Sequence, residues 1–184
     1  MIQETIQSRR AVFPAQYNDQ PISKAEVETI LKAANWAPTH KRTEPWRFKV
    51  FHGEAQEKLG TWNAEKYKET TANFKDVTYK KFYDNPTKSG CVIAICMQRE
   101  PKGSLPEWEE VAATAMAVQN MWLTAHDLGI GAFWGTPGTM NYLNELVPME
   151  EGEKCLGFFF MGKYDGELPE GIRKSTIEEK TVWI

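Results

Sequence analysis

Two adjacent arginines near the start of the chain, Arg9 and Arg10, are well suited by type to bind an anion. Guanidinium groups stay charged and make planar, charge-assisted hydrogen bonds to phosphate. The preceding residues, Glu4 to Ser8, predict a short helix, and cations at its end are also favoured by the helix dipole. The two interpretations are compatible, so the pair is expected to leave a helix and clamp a phosphate or an anionic ring.

A second basic cluster, His40 to Arg42, lies in a polar loop between Pro38 and Pro45. The cluster combines two permanently charged hydrogen-bond donors with a histidine that can change its protonation state, which suits a phosphate or a carbonyl-rich heterocycle. The alternative is an ordinary basic surface loop. The alternation of residues 47–51 predicts a strand directly after the loop.

A glycine-rich turn, Gly135 to Gly138, follows a short apolar strand predicted at residues 132–134. Exposed backbone of this kind can approach a flat ligand closely, although a plain tight turn is the alternative. Gly129 and Gly131 precede that strand, whereas a dinucleotide fingerprint needs a strand, then glycines, then a helix. The reversed order argues against a Rossmann site.

No familiar catalytic set accompanies these residues. The three histidines are scattered, and there is neither a G-x-S-x-G motif nor a paired-carboxylate motif. Cys91, Cys96 and Cys155 lie in apolar runs without C-x-x-C spacing, so they are expected to be buried thiols and not metal ligands. An enzyme built from this sequence would therefore need a cofactor, and no metal is expected.

One long uncharged segment, residues 111–125, predicts the helix around which the other elements pack. Ser104 and Glu107 have the spacing of a capping box, so the helix is expected over residues 105–128, with Gly129 as its left-handed cap. The absence of charge predicts burial nearly all round, and its alanines favour a close helix-on-helix interface. The apolar stretch is too short to span a membrane.

The remaining elements predict a buried sheet between helices. Gly90–Met97 and Cys155–Gly162 have the continuous apolar pattern of core strands. Ser23 and Glu26 form another capping box, which begins a helix that ends before Pro38. Other predicted elements are two helices over Glu54–Asn85 joined near Gly60, a short helix at Tyr142–Val147 and a strand-forming tail at Thr181–Ile184. The tail is expected to join a sheet, either of this chain or of another subunit. The aromatic residues of the 54–85 segment either pack within the protein or roof a ligand pocket.

Composition limits the possible partners. The 184 residues carry a net charge of −3, which gives no basic footprint for nucleic acid or a membrane surface. The N-terminus lacks a secretory signal, so a cytoplasmic protein is expected. No linker divides the chain, and a single domain over residues 1–184 is predicted.

Three pieces of sequence, taken in order, resemble the short single-domain branch of the nitroreductase family of FMN-dependent NAD(P)H oxidoreductases. They are Ser8-Arg9-Arg10, Ala37–His40 followed by Glu44–Phe48, and Leu128–Gly131 leading to Trp134–Thr136. The resemblance implies an α+β fold with a mainly antiparallel central sheet wrapped by helices. It also implies a homodimer with a domain-swapped C-terminal tail and FMN at the interface.

The same resemblance implies roles for particular residues. Arg9 and Arg10 would contact the ribityl phosphate and the ring edge of FMN, with backbone contact from Ala11. The partner subunit would contribute Trp36 and His40. The residues expected to line the isoalloxazine or hold the phosphate are Trp134, Gly135, Thr136, Arg173 and Lys174.

The implied reaction is ping-pong hydride transfer from NAD(P)H, through the flavin, to a nitroaromatic, a quinone or a related acceptor. No protein acid or base is required, so no catalytic side chain is expected. The chain departs from the family pattern at Ala11 and Gly135, where polar groups are usual. These departures leave open an alternative, a flavin-binding or interaction protein without significant turnover.

Overall fold

The computed structural model describes residues 2–184 and contains one antiparallel sheet with helices on both faces. The strand order in the sheet is β1-β2-β4-β3, so β1 and β3 form its edges. The strands are β1 Trp46–Phe51, β2 Cys91–Gln98, β3 Ile130–Gly135 and β4 Glu153–Lys163. The helices are α1 Ile2–Ser8, α2 Lys24–Ala34, α3 Glu54–Thr70, α4 Asp76–Thr87 and α5 Glu107–Asp127. The predicted α+β class and antiparallel sheet are confirmed.

Two apolar layers hold the sheet between the helices. One face packs against α2 and α5, with Ile93 and Phe159 at its centre. The other face packs against α3 and the segment 138–145, with Leu59 and Phe160 in its core. The central strand β2 is buried along almost its whole length because both of its faces are covered, which explains its continuous apolar sequence.

Helix α5 crosses the first face of the sheet and ends as predicted, with Gly129 at a φ of 68°. Its predicted capping box is wrong. Pro106 is the N-cap, the Ser104 amide donates to the Glu100 carboxylate at 2.9 Å, and Glu107 pairs instead with Lys154 at 2.6 Å. Glu100 of the preceding loop and Lys154 of β4 therefore take the two groups that would have formed the capping box.

The outer face of α5 is not covered within the chain. Residues such as Ala117 and Met121 are fully buried against the sheet, whereas Met116 is 41% exposed and Trp108 is 68% exposed. The expectation of burial nearly all round therefore does not hold for the single chain. The outer face stays a predicted interface with another helix.

The long charged segment after β1 folds into two helices, but the predicted break near Gly60 is wrong. The helices α3 and α4 are separated by residues 71–75, and Gly60 lies inside α3. A Cβ atom at Gly60 would lie 2.9 Å from both the Tyr83 carbonyl oxygen and Thr87 Cγ2. The glycine is present because α4 packs closely there, and not because the chain turns.

The termini of other elements agree closely with local sequence signals. The Ser23–Glu26 capping box is formed, with the Glu26 amide donating to Ser23 Oγ at 3.3 Å. The predicted helix at 142–147 is a 3₁₀ segment at Gly138–Glu145. The C-terminal tail forms no strand within this chain, and Trp183 is 94% exposed. Within residues 2–184, no helix is long and apolar enough to cross a membrane.

Candidate functional site

The N-terminal segment lies along the outer edge of β3. Ala11 bridges Ala132, and the Val12 amide donates to the Ala132 carbonyl at 3.0 Å. Gly131 allows this approach, since a Cβ atom there would lie 2.7 Å from Val12 Cβ. The preceding arginines are therefore held beside the start of β3.

The Arg9 guanidinium is the unpaired cation of this region. It lies 4.5 Å from the ring centroid of Trp122, and within residues 2–184 it has no hydrogen bond or ion pair. Its pKa is lowered from the ordinary value by burial first, and then by the neighbouring charges of Arg10 and Arg173. Among the described residues, the charges that act on the Arg9 pKa are both positive, and this position therefore favours an anion.

Arg10 makes different contacts from its neighbour. Its Nε donates to the Pro169 carbonyl at 2.9 Å, and its Nη1 donates to the carbonyls of Gln7 at 2.6 Å and Arg9 at 2.9 Å. Its guanidinium also fills the space beside Gly171, where a Cβ atom would lie 2.6 Å away. Arg10 therefore ties the C-terminal segment to the N-terminus.

A histidine that the sequence did not single out borders the same cluster. His126 Nε2 lies 2.8 Å from Ser8 Oγ. Burial, followed by the charges of Arg9 and Arg10, lowers the pKa of His126. The imidazole therefore stays neutral near pH 7 and does not add to the positive charge. Arg173 belongs to the cluster through its charge on Arg9, whereas Lys174 is exposed and makes no such contact among the described residues.

The far end of β3 carries the other predicted ligand-binding residues. The Ala132 carbonyl points to the outer edge of β3, and by strand alternation the Trp134 carbonyl points the same way. Among the described residues, the N-terminal segment makes a backbone hydrogen bond to Ala132 but none to Trp134. The Trp134 indole is fixed by a 3.1 Å hydrogen bond to the Leu156 carbonyl. Gly135 is buried and Thr136 is exposed at the mouth of the turn.

Two adjoining cavities lie between β3 and α4, with volumes of about 280 Å³ and 390 Å³. Both are lined by Lys81, Asn85 and Phe133, and the smaller one also reaches Gly135 and Thr136. Phe13 covers Phe133 with ring centroids 4.6 Å apart. The space therefore has aromatic walls and amide and ammonium groups at its rim.

Several of these lining residues were missed by reasoning from the sequence. Asn63 lines the smaller cavity and is almost fully buried, with its side-chain oxygen accepting a hydrogen bond from Thr139. Lys81 and Asn85 lie on α4. The break between α3 and α4 was placed at Gly60, so the faces of these helices could not be assigned. The expectation that the 54–85 segment roofs a pocket does agree with these cavities.

His40 lies away from the arginine cluster, and Trp36 makes no cation–π contact with it among the described residues. Trp36 is 86% exposed, and His40 Nδ1 pairs with Glu109 Oε2 at 2.6 Å near the start of α5. Glu109 and His126 are about 25 Å apart along that helix. One chain therefore does not bring the two groups together, and a contribution from a second subunit stays a prediction. Within residues 2–184, no cluster of His, Cys, Asp or Glu could hold a metal ion.

Comparison with known proteins decides the family. The family model described as "Nitroreductase family" matches residues 6–163. The chain belongs to the nitroreductase family. YdjA of Escherichia coli K12, which is named as a presumptive NAD(P)H nitroreductase, is 27% identical over 139 residues, covering 74% of this chain and 75% of YdjA. The predicted family is confirmed.

Solved structures show the same fold. A nitroreductase-like protein from Bacillus cereus superposes with a TM-score of 0.81 at 28% identity, covering 100% of this chain and 96% of the other. A presumptive nitroreductase from Desulfovibrio desulfuricans, solved in complex with FMN, gives a TM-score of 0.76 at 22% identity, with coverage of 100% and 96%. Membership of this family makes the chain an oxidoreductase.

Proposed function

We propose that the chain, as a single domain over residues 1–184, is an FMN-dependent oxidoreductase that uses NAD(P)H to reduce a nitroaromatic, a quinone or a related acceptor in a ping-pong cycle. The observation that carries the proposal is the unpaired Arg9 guanidinium beside an edge strand whose far end is open. The FMN complex of the Desulfovibrio relative supports the choice of cofactor.

The residues present fit FMN. Arg9 and Arg173 supply positive charge for its phosphate, and Arg10 holds the surrounding segments in place. From Ala132 to Gly135, β3 extends about 10 Å, which suits a ligand with an anionic group at one end and a planar ring at the other. The backbone of Trp134 and the turn beyond it then face the ring. Bound FMN supplies the redox chemistry, accepting a hydride from NAD(P)H and passing it to the acceptor.

The protein's own part in this reaction is binding, orientation and exclusion of water. Phe13, Phe133 and Phe160 give the cavities apolar ring surfaces against which a planar acceptor can pack. Lys81 and Asn85 offer donors at the rim for the oxygen atoms of a nitro or carbonyl group. Residues of α4 line one side of both cavities, so this helix is proposed to cover the acceptor.

A homodimer completes the proposal. The uncovered outer face of α5 and the exposed tail at Val182–Ile184 are the surfaces that a second copy would bury. The second copy would also bring Trp36 and His40 toward the site. Sedimentation at micromolar concentration should give a dimer, which deletion of residues 181–184 should weaken. A stable monomer of the intact chain would refute this part.

Titration with FMN followed by anaerobic addition of reductant tests the proposed function. The apoprotein should quench FMN fluorescence at a stoichiometry of one per chain, and NADH or NADPH should then bleach the bound flavin. Binding without bleaching by either nucleotide would indicate a flavin carrier. Absence of FMN binding would refute the proposal altogether.

A further inference from the structure

Two of the three cysteines face each other across the centre of the sheet. Cys96 on β2 is the register partner of Cys155 on β4, and both belong to the apolar layer beneath α3. Cys91 belongs to the opposite layer, beneath α5. The chain therefore contains one cysteine pair and an internal control that the sheet separates from it.

The geometry of the pair suits a covalent bond. Residues directly opposite in an antiparallel ladder have Cα atoms about 4.5–5.5 Å apart, which lies within the range of about 4.4–6.8 Å found in disulfides. Both side chains belong to the same apolar layer on one face of the sheet. The neighbouring Cys96 side chain lowers the pKa of Cys155, which favours the Cys155 thiolate, the form that reacts with oxidants.

The pair is also within reach of a small oxidant. Cys155 is 8% exposed and lines an open cleft of about 610 Å³. Met140 and Met149 lie along the same cleft, and they give it a soft, polarisable lining. Cys91 is fully buried and lines none of the cavities described for this chain. Peroxide can therefore meet Cys155 without unfolding the sheet.

The pair is linked to the candidate flavin site through a bulge in β4. The register passes from Ile95 opposite Gly157 to Cys96 opposite Cys155, so Leu156 is the extra residue. The Leu156 carbonyl holds the Trp134 indole, and Cys155 Sγ donates to the Gly157 carbonyl at 3.5 Å. A displacement of Cys155 therefore acts directly on the adjacent Leu156, whose carbonyl fixes the Trp134 indole.

We propose that Cys96 and Cys155 form a peroxide-oxidisable dithiol whose closure to a disulfide shifts the bulge that holds Trp134. The Cys155 thiolate attacks the peroxide O–O bond and becomes a sulfenic acid, releasing one water after protonation. The Cys96 sulfur then attacks that sulfenic sulfur and displaces the second water. In total, two thiols are oxidised by two electrons to one disulfide, and one peroxide is reduced to two waters.

Thiol counting tests the bond itself, with or without bound flavin. The full chain is treated with a small excess of hydrogen peroxide, quenched, unfolded and alkylated, and its intact mass and peptides are measured. One alkylated cysteine should remain instead of three, with a peptide joining Cys96 to Cys155 within one chain. Cys91→Ser should still form the link, whereas Cys96→Ser and Cys155→Ser should not.

Several outcomes would overturn the proposal: three alkylated cysteines after treatment, a link to Cys91 or between chains, or oxygen added to Cys155 while Cys96 stays alkylated. Peptide mapping of the wild-type chain decides this even if a variant fails to fold. Tryptophan emission tests the coupling. It should change on oxidation of the wild type and change much less in Trp134→Phe, and equal changes in both would refute the link to Trp134.

Discussion

Replacing Arg9 by methionine separates anion binding from folding. Methionine keeps an unbranched apolar side chain over Trp122 and removes the charge. No side-chain hydrogen bond is lost, because the Arg9 guanidinium makes none within residues 2–184. The lost cation–π contact costs about 0.5–1 kcal/mol, and relief of the repulsion from Arg10 and Arg173 offsets part of it. The free energy of unfolding of the apoprotein should therefore change by no more than about 1 kcal/mol.

Binding of FMN should respond far more strongly. A hydrogen bond to a charged group contributes about 1.5–3 kcal/mol, so Arg9→Met should raise the Kd of FMN roughly ten- to a hundredfold. Fluorescence quenching of FMN on titration into apoprotein measures this Kd. Added salt should weaken binding to the wild type more than to the variant, since one charge pair has been removed.

Arg10→Met is the matched control. Its guanidinium donates to three carbonyls, including Pro169 near the other end of the chain. Their loss should lower the free energy of unfolding by about 1–3 kcal/mol, with a smaller effect on FMN affinity than Arg9→Met. Wild-type affinity of Arg9→Met for FMN would refute the anion-binding role of Arg9, as would a loss of stability in Arg9→Met that Arg10→Met does not share.

Gly131→Ala should lower the free energy of unfolding by about 1–3 kcal/mol in urea denaturation, because its Cβ would meet Val12 at 2.7 Å; an unchanged midpoint would show that the two segments separate easily. The Lys163 ammonium, together with the Ser23 amide, lowers the pKa of Glu26 to about 2. Its contribution to stability is therefore complete above about pH 4.3 and is lost as pH falls toward 2, so Glu26→Gln should flatten the wild-type decline in urea midpoint over that window. Amide exchange should be faster in α4 than in α3, since only one residue of α4 is buried, and the reverse order would argue against a mobile α4 over the acceptor.

Local sequence signals predicted correctly those helix ends and strands that depend only on residues close by in the chain. The Ser23–Glu26 box, the left-handed Gly129 and the buried run of β2 all formed as predicted. The same logic failed at Ser104, whose amide bonds to Glu100, and at Gly60, which serves the packing of a second helix. In both places a partner outside the local motif decided the outcome.

In the candidate site too, features set by residue type could be predicted, whereas features set by distant partners could not. The arginine pair and the turn after β3 could be found from residue types. The sequence could not show that Arg10 is bonded to Pro169, or that Asn63 is held by Thr139, because these partners are far apart along the chain. Only the fold distinguishes the unpaired Arg9 from its structurally engaged neighbour.

The central claim is that the protein takes a hydride from NAD(P)H and delivers it to an acceptor in two separate half-reactions. The most direct measurement mixes FMN-loaded protein anaerobically with one equivalent of NADH or NADPH, removes the nucleotide, and then adds a quinone or nitroaromatic while the flavin absorbance is followed. The flavin should bleach in the first step and recover its full colour in the second, with one quinone reduced per flavin. Failure of either nucleotide to bleach the flavin, or recovery only while the nucleotide is still bound, would contradict this claim.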